Sequence, residues 1–219
     1  MRENKLPYLT QTNFPRLWLA FQYVIGGTTD KHRLAIERYK GQRKVLEIGC
    51  SVGIVSQVFL KYKNIEFTGI DIDDNALAFA RKRFGSFNNF NFRNISLSEL
   101  AKTGMKFDYV LFAGILHHTD DNAAIALLKD VQLLLADDAT LVVMEPEKLR
   151  DDDGLLFRIF YKLERGEFRR HEDELKDLIC STGLKIKYLS GFLSAPNALP
   201  FLKAGRITFI EAVLQTGIN

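Results

Sequence analysis

The residues able to do chemistry are few and fall at the ends of apolar runs: Glu47, Asp71, His117, His118 and Glu145, with a glycine turn, Gly49 to Gly53, following the first of them. A histidine beside a cleft can remove a proton near neutral pH. A carboxylate at the end of a strand can accept hydrogen bonds from both hydroxyls of a ribose. Asp71 closes the run Glu66-Phe-Thr-Gly-Ile-Asp71, 24 positions after Glu47, and the two together fit an adenosine-containing ligand.

The elements that must position them start with Lys44-Val-Leu-Glu-Ile-Gly-Cys-Ser-Val-Gly-Ile-Val55. Val45, Leu46 and Ile48 read as a strand buried on both faces, and Gly49 and Gly53 bracket a turn whose backbone comes close to something. The spacing predicts a helix from Ser51 to Tyr62, whose N-terminus would turn free N–H groups and the dipole toward the crevice. Further strands are expected at Glu66–Asp71, Phe90–Ile95, Phe107–Leu116, Thr140–Met144, Leu184–Leu189 and Ile207–Leu214. Asp73 is placed to cap a helix over Asn75–Phe84, Asp120 or Asp121 one over Ala123–Leu135, and Gly183 to close one over Glu172–Thr182. Ahead of the sheet, Phe14, Leu17, Trp18, Phe21, Val24 and Ile25 recur at helical spacing; Gly26-Gly27 stops that helix, and Thr29 or Asp30 can cap a second, Lys31 to Tyr39.

With Glu47-x-Gly-x-x-x-Gly53, Asp71 and Leu116-His-His-Thr-Asp120, residues 40 to 146 resemble the class I S-adenosylmethionine-dependent methyltransferases of the small-molecule type. Ser51 stands where that family usually has its middle glycine, and is strained if the position needs φ > 0. The resemblance implies a Rossmann-like α/β sandwich whose seven-stranded, mostly parallel sheet ends in antiparallel closing strands. Residues 1–40 would form an N-terminal helical cap, and 41–219 the methyltransferase domain with a substrate lid at 147–171.

By the same resemblance Glu47, Gly49, Cys50, Ser51, Gly53, Asp71, Ile72, Asn94, Ile95 and Ala113 would hold S-adenosylmethionine. Gly49 and Gly53 would make room for its methionine part, while Asn94, in place of the usual acidic residue, would accept from the adenine amine or simply form a turn. His117 or His118 would act as general base or shape the pocket, and Glu145 would meet substrate or be an exposed strand-end acid. Tyr8, Trp18 and Tyr23 are candidate lid residues. In the lid, Phe157, Phe160, Tyr161 and Phe168 would supply apolar walls, and Arg165, Arg169 or Arg170 could meet an acidic group; a plain surface helix reads equally well.

Composition bounds the partners. A net charge of +3 over 219 residues is too small to imply nucleic acid. Arg81-Lys-Arg83 and Arg169-Arg170 read as solvated helix faces. Cys50 and Cys180 are far apart in apolar segments, so a disulfide framework is not expected, and Cys50 reads as a small residue filling its turn rather than a nucleophile. Leu17 to Ile25 is too short to span a bilayer and lacks a cleavage site after it, so the expected location is the cytoplasm. No metal-ligand cluster stands out.

A small-molecule acceptor is the expected partner, with neither nucleic acid nor membrane. An NAD(P)-dependent oxidoreductase shares strand, glycine turn and acidic strand end, though Gly-x-x-x-Gly is the wrong spacing for a pyrophosphate. A non-catalytic cofactor-binding protein of the same fold is the third reading.

Overall fold

The computed structural model describes residues 13–24, 26–163 and 166–215. Tyr8, Ile25 and Arg165, singled out above, lie outside the described residues. Strands β1 (Lys44–Ile48), β2 (Glu66–Asp71), β3 (Phe90–Asn94), β4 (Phe107–Ala113), β5 (Leu135–Pro146), β6 (Leu184–Ser194) and β7 (Gly205–Leu214) form one sheet in the order β3-β2-β1-β4-β5-β7-β6. The first five are parallel. Of the two closing strands only β7 is reversed, pairing antiparallel with both β5 and β6.

Alternation along the strands builds two cores. On β1 and β4, Leu46, Ile48, Val110 and Phe112 face one side and pack with Leu100, Leu128, Val131 and Ile179. These come from α4 (Leu97–Ala101), α5 (Asp121–Gln132) and α7 (Glu172–Ser181). Val45, Tyr109 and Leu111 face the other side, with Leu34, Phe59, Leu77 and Phe84. The helices there are α2 (Thr28–Ala35) and α3 (Asp74–Phe84). A strand covered on both faces must be apolar throughout, so the one carboxylate on β1, Glu47, is a departure that needs a reason outside packing.

Local signals set most helix starts. Asp73 accepts from the N–H groups of Asn75 and Ala76 at 3.1 Å, and Asp120 from Ala123 at 2.9 Å. Gly183, at φ 88°, closes α7. Asp137-Asp138 lies in the irregular start of β5, where the register with β4 shifts before Tyr109 meets Thr140.

Three expectations are corrected. After Gly53 there is no α-helix: turns lead into a 3₁₀ helix, Ser56–Lys61. Its side chains still pack as the apolar pattern requires, with Phe59 fully buried. The second N-terminal helix is α2 rather than Lys31–Tyr39. Gly27, at φ 62°, stands at its N-cap, and Asp30 accepts from Ala195 N at 3.1 Å instead of capping. The first, α1 (Pro15–Val24), leaves Phe14, Leu17 and Val24 exposed. Only Trp18, Phe21 and Gln22 of α1 turn toward the interior, lining a cavity, and Tyr23 ties the helix down through Gln57 and Arg83.

Candidate active site

A cavity of about 910 Å³ opens over the carboxyl ends of β1, β2, β4 and β5. That is at the upper end of the ~300–1,000 Å³ typical of small-molecule sites. Glu47, Gly49, Cys50, Ser51, Asp71, Ile72, Ile95 and Ala113 line one part of it, and Trp18, Phe21, Phe157, Phe160 and Tyr161 wall another. The last three sit on α6 (Leu155–Leu163), inside the segment read as a lid.

The glycine turn is built on β2. Gly49 N and Cys50 N both donate to Ile70 O, at 2.8 and 3.0 Å, and Ser51 N donates to Asp71 Oδ2 at 2.8 Å. Asp73 N donates to Asp71 Oδ1 at 2.9 Å. Each Asp71 oxygen therefore has one backbone donor fixing it and a lone pair left for a ligand. Beside it Ile72 stands 81% exposed, an apolar face at the rim. Ser51 takes φ 50°, the left-handed conformation that glycine would adopt without strain.

The glycines answer to protein packing. A Cβ at Gly49 would lie 2.0 Å from Ile115 Cδ1, and one at Gly53 would lie 2.4 Å from Phe84 Cε2. Gly53 does not line the cavity, so the room it makes is for α3 and not for a ligand. Asn94 is also displaced from its expected place. It is exposed, its amide donates to Ile72 O at 3.1 Å, and the cavity wall there is Ile95, Ser96 and Leu97. The side chain ties β3 to the end of β2, which accounts for an asparagine at a strand end.

Glu47 is buried on the same sheet face as Val45, and the Ser56 hydroxyl donates to its Oε2 at 2.5 Å. Burial pushes its carboxyl up to about 8, against the Ser56 hydrogen bond, with the Asp71 charge adding to the rise. Burial, with the Glu47 and Asp71 charges, also raises the Cys50 thiol well above its ordinary value, which disfavours the reactive thiolate.

Glu145 is neither exposed nor open to a substrate. Its Oε1 accepts from Ile115 N and Leu116 N at 2.8 and 2.9 Å, and its Oε2 from His117 N at 3.2 Å and His117 Nδ1 at 2.7 Å. Four hydrogen bonds fix it in place, so that it shapes the 115–117 turn and grips the His117 ring. His117 is 4% exposed and lines the cavity; His118 packs against it, the rings tilted by 40° with centroids 4.0 Å apart, and lines it too.

Of the lid arginines, neither Arg169 nor Arg170 lines the cavity. Arg170 donates to Asp121, Leu116 O, Phe168 O and Thr119 O, binding the segment after α6 to the histidine turn. Arg169 lies over the Tyr161 ring at 3.9 Å. Phe168 is exposed and outside the cavity. The lining has contributors that the pattern of strands concealed: Met144, Glu147 and Asp153, and Ala195, Pro196 and Arg206 between or within the last two strands. Glu147 lies two residues past Glu145 and Asp153 ends the Asp151-Asp-Asp153 run, which were the available signals.

Residues 46–141 match the sequence profile of a methyltransferase domain. Over that segment, just under half of the chain, the sequence is similar to methyltransferase domains, and the seven-stranded sheet has their Rossmann-like class I fold. An uncharacterized protein of Synechococcus, syc1184_c, is 35% identical over 86 residues. That match covers 37% of this chain and 20% of the relative, so the chain spans only about a fifth of the curated protein it matches.

Among solved structures, magnesium protoporphyrin IX methyltransferase from Synechocystis, with S-adenosylhomocysteine bound, superposes with a TM-score of 0.61 at 18% identity, over 87% of this chain and 83% of that one. The [4+2]-cyclase SpnF does so with a TM-score of 0.67 at 15% identity, over 85% and 80%. At such identities the superpositions speak for the fold. The matched segment holds most of β1, all of β2, β3 and β4 and the first half of β5, so the ends of β1, β2 and β4 that floor the cavity lie inside it, while the end of β5, α1, α6 and the β6–β7 connection lie outside it. Among the described residues no helix is long and apolar enough to cross a membrane.

Proposed function

We propose that the chain transfers a methyl group from S-adenosylmethionine to a small-molecule acceptor. The observation that carries this is the cavity itself: a nucleoside end, with Asp71 held by two backbone donors beside exposed Ile72, runs into a space walled by aromatic side chains. Asp71 would hold the ribose and Ile72 with Ile95 would flank the base. Glu47 would face the amino-acid part. When bound, the sulfonium supplies an already activated methyl group, so the protein's work is to orient the acceptor and exclude water. For a hydroxyl acceptor His117 would take the proton. With Nδ1–H donated to Glu145, its Nε2 carries the lone pair.

The 3₁₀ turn after Gly53 weighs against the nicotinamide reading. No α-helix N-terminus follows the glycine turn to receive a pyrophosphate, and S-adenosylmethionine has none. The test is calorimetric titration with S-adenosylmethionine, S-adenosylhomocysteine and NAD, repeated on Asp71→Asn and Asp71→Ala. We expect micromolar affinity for both sulfur nucleosides and none for NAD. Alanine should cost about 1–3 kcal/mol, and asparagine, which keeps one acceptor oxygen for the turn, should separate ligand loss from local unfolding. Binding of NAD alone would return the oxidoreductase reading; affinity for the nucleosides without turnover of any acceptor would favour the non-catalytic one.

A further inference from the structure

The three elements that wall the cavity beyond the sheet turn apolar side chains outward as well as inward. Most of the large apolar side chains left exposed among the described residues belong to them, including Leu17 and Val24 on α1, Leu155 and Ile159 on α6, and Leu199 and Phe201 between β6 and β7. Leu155 and Phe201 are 74% and 77% exposed. These elements border one mouth, since Trp18 of α1, Phe157 of α6 and Pro196 of the connection line the same cavity. They also touch: Ala198 N donates to Val24 O at 3.0 Å, and the Arg206 guanidinium lies 5.3 Å from the Phe157 ring centre. Exposed apolar side chains gathered in this way mark an interaction surface.

The charges on the same elements point to what it meets. Residues 13–24, 155–163 and 193–206 hold no aspartate or glutamate, although the chain of 219 residues has 27, and they carry Arg16, Arg158, Lys162, Lys203 and Arg206. The first four are exposed, and among the described residues Arg206 alone of the five has a carboxylate partner, Asp153. The exposed acids Asp151 and Asp152 precede α6, in the turn whose carbonyls Arg158 binds. On α6, Arg158 and Lys162 stand four residues apart beside Leu155 and Ile159, also four apart, so a stripe of cations runs next to an apolar stripe. A second copy set on this surface about a two-fold axis would bring cations against cations. An anionic lipid surface takes both stripes. Its acyl chains receive the leucine, isoleucine and phenylalanine side chains, and the long basic side chains reach its headgroup phosphates.

We infer that the rim of the cavity, formed by α1, α6 and the β6–β7 connection, docks on an anionic lipid bilayer with the cavity mouth against the membrane. The sequence led to no membrane partner because no segment in it reads as a span. Lying on one leaflet needs none, and no helix among the described residues is long and apolar enough to cross. The docking is independent of the methyl-transfer reading, because it involves the outer side of the rim and no bound nucleoside.

Flotation of the full chain with vesicles tests this, using phosphatidylcholine alone and phosphatidylcholine with one third phosphatidylglycerol. Each cation near an anionic surface contributes about fivefold, so partition onto the mixed vesicles should be at least about tenfold stronger than onto phosphatidylcholine. Lys162→Glu/Lys203→Glu and, separately, Leu155→Ser/Phe201→Ser should each lower it by about tenfold or more. The controls lie at the opposite edge of the sheet, ahead of β2, β4 and β5. Lys63→Glu/Lys102→Glu, which changes the net charge equally, and Leu133→Ser should leave partition within about threefold. No flotation on the mixed vesicles, equal binding to both compositions, or an equal loss in the controls overturns the inference. A chain that leaves vesicles unbound and dimerises, with Leu155→Ser/Phe201→Ser restoring the monomer, would give the surface to a second copy instead. If one double variant fails to fold, the other decides together with the wild-type comparison of vesicles.

Discussion

A single side chain here is defined by what it has already been given to do. Glu145 illustrates this: all four of its contacts come from residues 115 to 117, so its effect on chemistry can pass only through the His117 ring it holds. The Cδ2–Nε2 edge of that ring also packs on Gly166, where a Cβ would come within 2.1 Å of His117 Cδ2 and 3.1 Å of Nε2. A ring so constrained cannot turn its Nδ1 to the cavity, and the free nitrogen is fixed as Nε2. For a hydroxyl acceptor, His117→Ala should lower kcat by about 10²–10⁴, the usual weight of a positioned base, while S-adenosylmethionine affinity stays within about threefold. His118→Ala, which removes a ring packed against His117, should cost less than about tenfold. Single-turnover rates and calorimetry on the same preparations separate the two roles. A parallel loss of affinity and rate in His117→Ala would make it a wall of the pocket instead.

At the scale of elements, the turn after β1 holds the one non-glycine residue with positive φ among the described residues. Ser51 at φ 50° costs about 1–2 kcal/mol relative to an ordinary conformation, and glycine there would recover part of it, offset by the greater freedom of its unfolded chain. Ser51→Gly should therefore raise the midpoint of thermal unfolding by about 1–4 °C, the scale of up to 1 kcal/mol for a domain this size. A lowered midpoint would mean that the serine's own contacts outweigh the strain.

The same turn shows how far sequence reaches. Val45, Leu46 and Ile48, with the caps at Asp73 and Asp120, made the strands and two of the helices legible, because burial on two faces and capping are written locally. The form of the segment after Gly53 was not: apolar residues at Val55, Val58, Phe59 and Tyr62 suit an α-helix, but tertiary packing chose a 3₁₀ turn. For the site, Glu47, Asp71, His117 and the α6 aromatics were visible as unusual residues at strand ends or in an insertion. Arg206, Asp153 and Ala195 were not, because they meet the cavity only once β6 and β7 fold back on β5, a contact no local pattern encodes. Gly53 and Asn94 misled for the complementary reason. Their residue types fit a ligand, and nothing local reveals Phe84 or the end of β2 as the actual neighbour.

For the whole molecule, burying Glu47 between the sheet and its covering layer ties stability to pH. Its folded carboxyl titrates near 8 against an ordinary value of 4.5, so between those limits the unfolded chain releases a proton that the folded one keeps. The folded state then binds more protons, and stability falls as pH rises through that window, by up to several kcal/mol if the shift is fully expressed. Above about 8 both states are ionised and the penalty is constant. Asp153 acts on the acid side. Burial resists its ionisation, but the Arg206 and Arg150 contacts win and hold it below the usual aspartate range. Its contribution is present above that range and is lost as pH falls through the lowered folded value. The two slopes place maximum stability well on the acid side of neutrality, between the ordinary aspartate and glutamate values, near about pH 4. Urea unfolding from about pH 3 to 9 should show that maximum in the wild type. In Glu47→Gln, which keeps an acceptor for Ser56 and loses the proton, the curve should be flat from pH 5 to 8 and cross above the wild type at the alkaline end. A wild-type curve already flat over that interval would mean that Glu47 ionises at an ordinary pH in the folded chain, with its charge met by groups reached through the cavity.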